Sequence, residues 1–301
     1  MGVAAVQSTI TLVAAHRAHR NLIVYLLPAF ALFSAFVLWP MIRAIWFSLF
    51  NWNGFGEPEN FVGVANYLEA FATPAFRVAL RDVGVLICVA LLIQVPLALA
   101  SALLVGARFR GVVAYRLILL LPYVLAQTAT GIVFTFLYDG QYGLAGKIAE
   151  SLGLERFFVL GSETFALPAV AAVMVWKYFG FSMMIFVAAL QSLDHSIVDA
   201  AHMDGASRWQ VLRYVTLPHL RPTMLLVAFF AVLGAVQMFD LVMSLTAGGP
   251  NNSSQTLVTY LYTHGLSRLR IGYGSAVGMI LFFLCVLFSI AYGRLGRRVH
   301  G

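Results

Sequence analysis

Long runs without a charged residue dominate this sequence. Residues 21–42, 83–107, 117–138, 222–239 and 271–293 contain no Asp, Glu, Lys or Arg, and residues 164–190 hold only Lys177. About 20 apolar residues are enough to cross the hydrocarbon core of a bilayer, which is about 30 Å thick. Because the runs are continuous rather than alternating, they predict membrane-spanning helices and not barrel strands.

The composition excludes several other classes of protein. Apolar residues make up 61% of the 301-residue chain and charged residues only 10%, whereas a soluble domain averages about 25% charged residues. Too few charges remain to cover a soluble enzyme or a nucleic-acid-binding domain. Cys88 and Cys285 both lie in apolar runs and have no spacing typical of a disulfide or metal site. They are predicted to be buried thiols.

We predict an all-α membrane protein with six transmembrane helices and both termini in the cytoplasm. A tail (1–20) precedes a six-helix domain (21–295), and a second tail (296–301) follows it. The predicted helices cover residues 21–46, 83–106, 117–138, 166–190, 222–246 and 271–293. In this orientation the cytoplasmic segments hold eleven Arg and three Asp, and the rest of the chain holds eight Lys and Arg against nine Asp and Glu. The positive-inside rule therefore accounts for most of the net charge of +7.

The segment between the fourth and fifth predicted helices carries two short helical patterns. Ser196 followed by Asp199 is typical of a capping box, and Ser207 followed by Gln210 forms a second one. Gly205 is placed to end the first short helix. The second helix has an apolar stripe that the loop alone cannot bury. Two interpretations stay open: an amphipathic loop resting on lipid headgroups, or a docking element for a cytoplasmic partner.

The same segment carries a resemblance to a known family. Asp199-Ala200-Ala201, three further residues, Gly205 and then Leu217-Pro218 resemble the EAA loop of sugar-type ABC-importer permeases, which are MalF/UgpA-like. The motifs Phe61-Val62-Gly63, Leu121-Pro122 and Leu245-Thr246-Ala247-Gly248-Gly249-Pro250 fit the same pattern, and the resemblance extends from about residue 22 to 295. It implies the MetI-like permease fold of type I ABC importers, in the plasma (inner) membrane of a prokaryote. The usual Glu of the family is Asp at position 199, which keeps the charge.

In this family the EAA loop, here residues 194–221, is a coupling helix that inserts into an ATP-hydrolysing subunit. The docking residues that the resemblance implies are Asp199, Ala200, Ala201, Asp204, Gly205, Ala206, Trp209, Leu217 and Pro218. The chain itself is expected to be no enzyme and to bind no cofactor or metal, because ATP and Mg²⁺ are used by the partner. In agreement, the sequence contains no G-x-x-x-x-G-K-[ST] phosphate loop.

The resemblance also implies partners and a substrate class. The partners are a second permease subunit in a heterodimer, two copies of a cytoplasmic ATP-binding subunit, and an extracellular or periplasmic solute-binding protein; no nucleic acid is expected. The substrate is a di- or oligosaccharide, or a sugar-like polyol such as glycerol phosphate. An ABC permease for a non-sugar solute is an alternative. An ion-coupled secondary transporter is another, although it would need intramembrane carboxylates and two interrupted halves, and Asp240 is a single candidate.

Polar residues within the predicted helices are candidates for the translocation path, because polar groups in a bilayer are costly. We predict a central transient substrate site lined by Gln127, Thr130, Tyr178, Ser182, Gln237 and Asp240, whose side chains offer hydrogen bonds and a ring face to a sugar. The alternative for each hydroxyl is a bond to helix backbone. For Lys177 three placements stay open: lining the cavity, snorkelling to the interface, or pairing with Asp240.

Overall fold

The computed structural model describes residues 26–106, 111–153 and 157–300, so the tail 1–20, residues 21–25 of the first predicted helix and Gly301 lie outside the described residues. Every regular element in the described part is helical. The longer helices are α1 (Leu26–Phe47), α2 (Ala65–Ala72), α3 (Pro74–Val105), α4 (Val112–Val124), α5 (Gln127–Leu137), α6 (Leu144–Ser151), α7 (Ala166–Gln191), α8 (His195–Met203), α9 (Arg208–Val236), α10 (Asp240–Leu245), α11 (257–266) and α12 (Ile271–His300).

Six spans are present when the two halves of one broken helix are counted together. α1, α3, α7, α9 and α12 are each long and apolar enough to cross a membrane, and the pair α4 and α5 forms a sixth, bent span. The described residues contain no strand, only an isolated bridge between Phe50 and Phe61. The predicted fold class, an all-α protein with six spans, is confirmed.

Two clusters of buried side chains hold the helices together. The larger joins α3, α7, α9 and α10, with Leu86, Met174, Phe186 and Leu241 among its fully buried members. The smaller joins α2, the start of α3, α11 and the start of α12 around Phe76, Tyr260 and Tyr273. Burying a large apolar side chain contributes about 1.5–3 kcal/mol in water, but in a bilayer close packing takes over that role.

α1 contributes nothing to either cluster. None of its most apolar window is buried inside the chain, and Phe36 is 75% exposed. A helix that is apolar all round and unburied by its own chain faces lipid or another protein.

Two helices begin earlier than the prediction. α3 starts at Pro74 rather than at residue 83. The two charged residues directly before residue 83 therefore lie inside the helix, where Arg81 is paired with the buried Asp82 at 2.7 Å. α9 starts at Arg208 rather than residue 222 and continues through Pro218 to Val236. A π-helical turn, Leu212–Thr216, precedes the proline. Proline is tolerated in the first turn of a new helical segment, where its missing N–H would lack a partner in any case.

Two predicted helices are also broken. The predicted helix 117–138 bends by 96° between α4 and α5, after the internal Pro122. The predicted helix 222–246 ends at Val236, and α10 begins only at Asp240. At that second break the hydroxyl of Thr256 donates to the free carbonyl of Met238 at 2.8 Å. The short helices that follow the two breaks, α5 and α10, pack closely against each other. A Cβ on Gly131 of α5 would overlap with Ser244 of α10.

Candidate functional site

A cavity of about 340 Å³ lies where α3, α7 and α9 meet the end of α4. Its walls combine amide and hydroxyl side chains with aromatic rings and small residues. The lining residues are Gln94, Tyr123, Met174, Tyr178, Phe181, Ser182, Phe230, Ala231, Leu233, Gly234, Ala235 and Gln237. Such a mixture of apolar walls and a few polar groups is typical of a small-molecule site.

Gln94 reaches the cavity through a distortion of α3. The segment Ala90–Gln94 forms a π-helical turn, a feature frequent at functional sites. Gln94 is 3% exposed and its amide donates to the hydroxyl of Ser182, which is 4% exposed, at 3.3 Å. Sequence reasoning missed Gln94, although a lone amide in the uncharged run 83–107 was the signal that could have found it.

Aromatic rings form a second part of the cavity wall. Tyr123 and Phe181 stack with their ring centroids 4.5 Å apart and their planes 12° from parallel. Tyr178 meets Tyr123 edge-on at 6.2 Å, and Phe230 meets Phe181 edge-on at 6.3 Å. Offset and edge-to-face ring pairs of this kind are favourable and rigid. They give the cavity flat apolar faces of fixed orientation.

Three of the six predicted substrate residues line this cavity, namely Tyr178, Ser182 and Gln237. The other three are not among its lining residues. Thr130 is buried and its hydroxyl donates to the Ala126 carbonyl at 3.0 Å, the backbone bond weighed as its alternative. Gln127 is the first residue of α5, and Asp240 is the exposed first residue of α10.

Lys177 takes none of the three placements considered from the sequence. It is 2% exposed, so it neither snorkels nor faces the cavity. Its ammonium donates to the carbonyl of Pro122 at 3.2 Å and to that of Leu125, and lies 3.5 Å from the Thr130 hydroxyl. Among the described residues the ion pairs are Arg81–Asp82 and Arg270–Glu69, so the third alternative, a pair of Lys177 with Asp240, is not formed.

This role of Lys177 could not be predicted from the sequence because it depends on the break between α4 and α5. The last carbonyls of a helix have no partner within it and form the negative end of its dipole. The ammonium of Lys177 supplies both a positive charge and hydrogen-bond donors to the end of α4. Gly180, one turn further along α7, allows this approach, because a Cβ there would overlap with the Leu119 carbonyl.

The EAA loop forms a helix–turn–helix, α8 followed by the start of α9. The cap of α8 is Asp194, which accepts from the Ser196 amide at 2.9 Å, so the predicted Ser196 capping box is wrong. The box of Ser207 and Gln210 is confirmed. Gly205 ends α8 with a φ of +83°, a conformation that favours glycine.

The predicted docking residues fall into two groups by exposure. Asp199, Ala200, Asp204, Gly205 and Trp209 are exposed, and Ala201, Ala206, Leu217 and Pro218 are half-buried. Large apolar side chains are unusually exposed here, with Met203 at 88%, Tyr214 at 70% and Trp209 at 64%. A contiguous apolar patch of this kind marks an interaction surface for protein or lipid.

The bundle of apolar spans, its partly polar central cavity and its exposed helical loop define a membrane transport permease. The family described as the binding-protein-dependent transport system inner membrane component matches residues 11–301. The chain belongs to this family. It is therefore a multi-pass inner-membrane protein and a non-catalytic subunit of a transport system, as the resemblance implied.

Named relatives and solved structures agree with this assignment. The sulfoquinovosyl glycerol transport system permease protein SmoG of Agrobacterium fabrum is 29% identical over 91% of this chain and 90% of its own. The diacetylchitobiose uptake system permease protein NgcF of Streptomyces coelicolor is 31% identical over 90% of this chain and 80% of its own. A bacterial ABC transporter that imports the acidic polysaccharide alginate has the same fold, with a TM-score of 0.83 and 22% identity over 97% of this chain and 100% of the matched one.

Proposed function

We propose that this chain is the carbohydrate-translocating permease subunit of an ATP-driven importer that works by alternating access. The proposal rests on a cavity whose wall combines Gln94, Ser182 and Gln237 with the stacked rings of Tyr123 and Phe181. Amides and hydroxyls match the hydroxyl groups of a sugar, and rigid aromatic faces match its apolar C–H face. The names of SmoG and NgcF support the same substrate class.

The partners follow from the family and the exposed surfaces. We assign the exposed apolar patch of the EAA loop to docking of a cytoplasmic ATPase subunit, present in two copies, which would hydrolyse ATP with Mg²⁺. A solute-binding protein would deliver the sugar. In support, a bacterial alginate ABC transporter of similar fold has been solved in complex with an alginate pentasaccharide-bound periplasmic protein. A second permease would complete the cavity and cover the unburied α1.

ATP dependence tests the proposal against the ion-coupled alternative. The tagged chain is purified with its associated subunits and reconstituted with its binding protein into liposomes for sugar uptake. We expect an ATPase subunit to co-purify, and uptake to require internal ATP and to continue when ionophores collapse the ion gradients. Uptake that needs a gradient and not ATP would overturn the importer mechanism.

A pair of matched variants tests the cavity itself. Gln237→Ala removes an amide from the lining, whereas Gln127→Ala removes an amide outside it. Losing one hydrogen bond to the sugar costs about 1 kcal/mol, or about fivefold in KM for uptake. The Gln127 variant should keep its KM. Equal effects of the two changes would contradict the assignment of the site.

A further inference from the structure

The cavity lining contains no charged side chain. Among the described residues that form it there is no Asp, Glu, Lys, Arg or His. An anion that leaves water for such a site loses its hydration, and the loss is offset only by an opposite charge or several donors. An uncharged solute has no comparable penalty. The absence of charge from the cavity wall therefore indicates which solutes this site can bind.

The cationic residue nearest in sequence to the cavity lining already has hydrogen-bond partners outside the cavity. Lys177 neighbours Tyr178 on α7, but its ammonium is held by the carbonyls of Pro122 and Leu125 at the end of α4. To serve a substrate it would have to leave those oxygens without a donor, and a buried carbonyl without a partner costs about 1–3 kcal/mol. Lys177 is thus an interior cap and no anion receptor.

The polar groups of the lining suit hydroxyl ligands in their donors and acceptors. Gln237 offers an acceptor oxygen and two N–H donors, and Gln94 keeps its oxygen and one N–H beside its bond to Ser182. The Tyr178 and Ser182 hydroxyls add further polar groups to the wall. Sugar hydroxyls also donate and accept, so both kinds of site are used. The carboxylate, sulfonate or phosphate group of an anionic solute only accepts, so it would leave the wall acceptors next to it unused.

We infer that the part of the cavity wall contributed by this chain favours uncharged saccharides over uronates, sulfonated sugars and polyol phosphates. The inference rests on the proposed carbohydrate function and narrows it, because glycerol phosphate is removed from the expected substrates. The selection is exerted by this chain, separately from any choice made earlier by a solute-binding protein.

Saturation-transfer NMR on the co-purified complex in lipid nanodiscs, without binding protein, tests the inference. The probes are the uncharged disaccharides maltose, cellobiose and diacetylchitobiose, and the anionic digalacturonate with its uncharged methyl ester. At pH 7 we expect saturation transfer to at least one uncharged probe, and an apparent affinity for digalacturonate at least about tenfold weaker than for its ester. Binding of digalacturonate as tight as that of the ester, lost in Gln237→Leu, would overturn the inference.

A charge inserted into the wall gives the converse result. Gln237 is exposed to the cavity, so Gln237→Lys introduces an ammonium without filling a packed core position. This variant should bind digalacturonate about tenfold more tightly than the unsubstituted complex does, and Gln237→Leu should not. If Gln237→Lys fails to assemble, the comparison of acid and ester still decides. If no saccharide of either charge binds, the carbohydrate function itself fails, an outcome distinct from tight digalacturonate binding.

Discussion

Replacing Lys177 with methionine gives an unbranched side chain that is one atom shorter, and it removes the ammonium from the end of α4. Two carbonyl oxygens, those of Pro122 and Leu125, then lose their donor inside the protein. Each orphaned carbonyl costs about 1 kcal/mol at the lower end of the usual range, so we expect a loss of about 2 kcal/mol in the free energy of unfolding. The substitution also removes the cost of burying the ammonium. This gain offsets part of the loss, so we keep the expected change in the free energy of unfolding at the lower end.

The chain provides its own control for this variant, because its two lysines are Lys147 and Lys177. Lys147 is exposed on α6. Lys147→Met should therefore alter the free energy of unfolding by less than about 0.5 kcal/mol. Both variants are measured by denaturant titration of the purified protein in mild detergent, followed by tryptophan fluorescence.

Amine labelling reads the burial of Lys177 without any substitution. An N-hydroxysuccinimide ester applied to the folded protein should modify Lys147 and leave Lys177 unmodified, and both should react after unfolding, as mass spectrometry of peptides would show. Equal stability of the two methionine variants, or equal labelling of the two lysines in the folded protein, would refute the role assigned to Lys177.

Three further changes address other parts of the chain. Gly180→Leu should prevent close packing of α7 on the Leu119 carbonyl and lower the yield of folded protein, measured by size-exclusion chromatography, while Gly180→Ala gives a smaller loss. Gly205 has a φ of +83°, which asparagine adopts more readily than valine. Gly205→Asn should therefore retain ATP-coupled uptake, and Gly205→Val should abolish it with membrane insertion intact. Full uptake by Gly205→Val would contradict ATPase docking at the turn. Burial, together with the charges of Arg268 and Arg270, holds the pKa of His264 below its usual value. As the pH falls, the His264 side chain therefore takes up its proton in the unfolded chain before it does so in the folded protein. The free energy of unfolding then decreases as the pH drops below about 6.5, the ordinary pKa of histidine. Between pH 7.5 and 5 the unfolding temperature of the unsubstituted protein should fall more than that of His264→Gln, and equal falls would remove His264 as the cause.

The number and type of the spans could be predicted from the sequence because they depend on local apolarity alone. The helix breaks could not, because each is stabilised by a residue distant in sequence: Lys177 for the end of α4, and Thr256 for the carbonyl of Met238. The early start of α3 was missed for a related reason. The predicted boundary was drawn at the nearest charged residue, on the assumption that charged residues lie outside the helix. Asp82 lies inside the helix and is buried there.

The cavity shows the same division. Tyr178, Ser182 and Gln237 were found because polar residues in apolar helices are rare enough to be noticed. Gln94 is also a lone amide in an apolar run, but its place in the cavity wall depends on the π-helical turn that brings it to Ser182, and that turn leaves no clear mark in the sequence. Asp240 was included on the same polarity argument, but the break before α10 places it outside the lining.

The continuity of α9 gives the molecule a mechanical property. One helix runs from Arg208 in the EAA loop to Val236, directly beside Gln237 in the cavity wall, over about 40 Å at 1.5 Å per residue. The π-helical turn Leu212–Thr216 and the prolines Pro218 and Pro222 interrupt the regular backbone hydrogen bonding near the cytoplasmic end of this helix. A displacement of Trp209 therefore reaches the cavity wall through one helix that has bending points close to the EAA loop. The part of α9 beyond Pro222 has no such interruption before Val236, so it moves with the cavity wall.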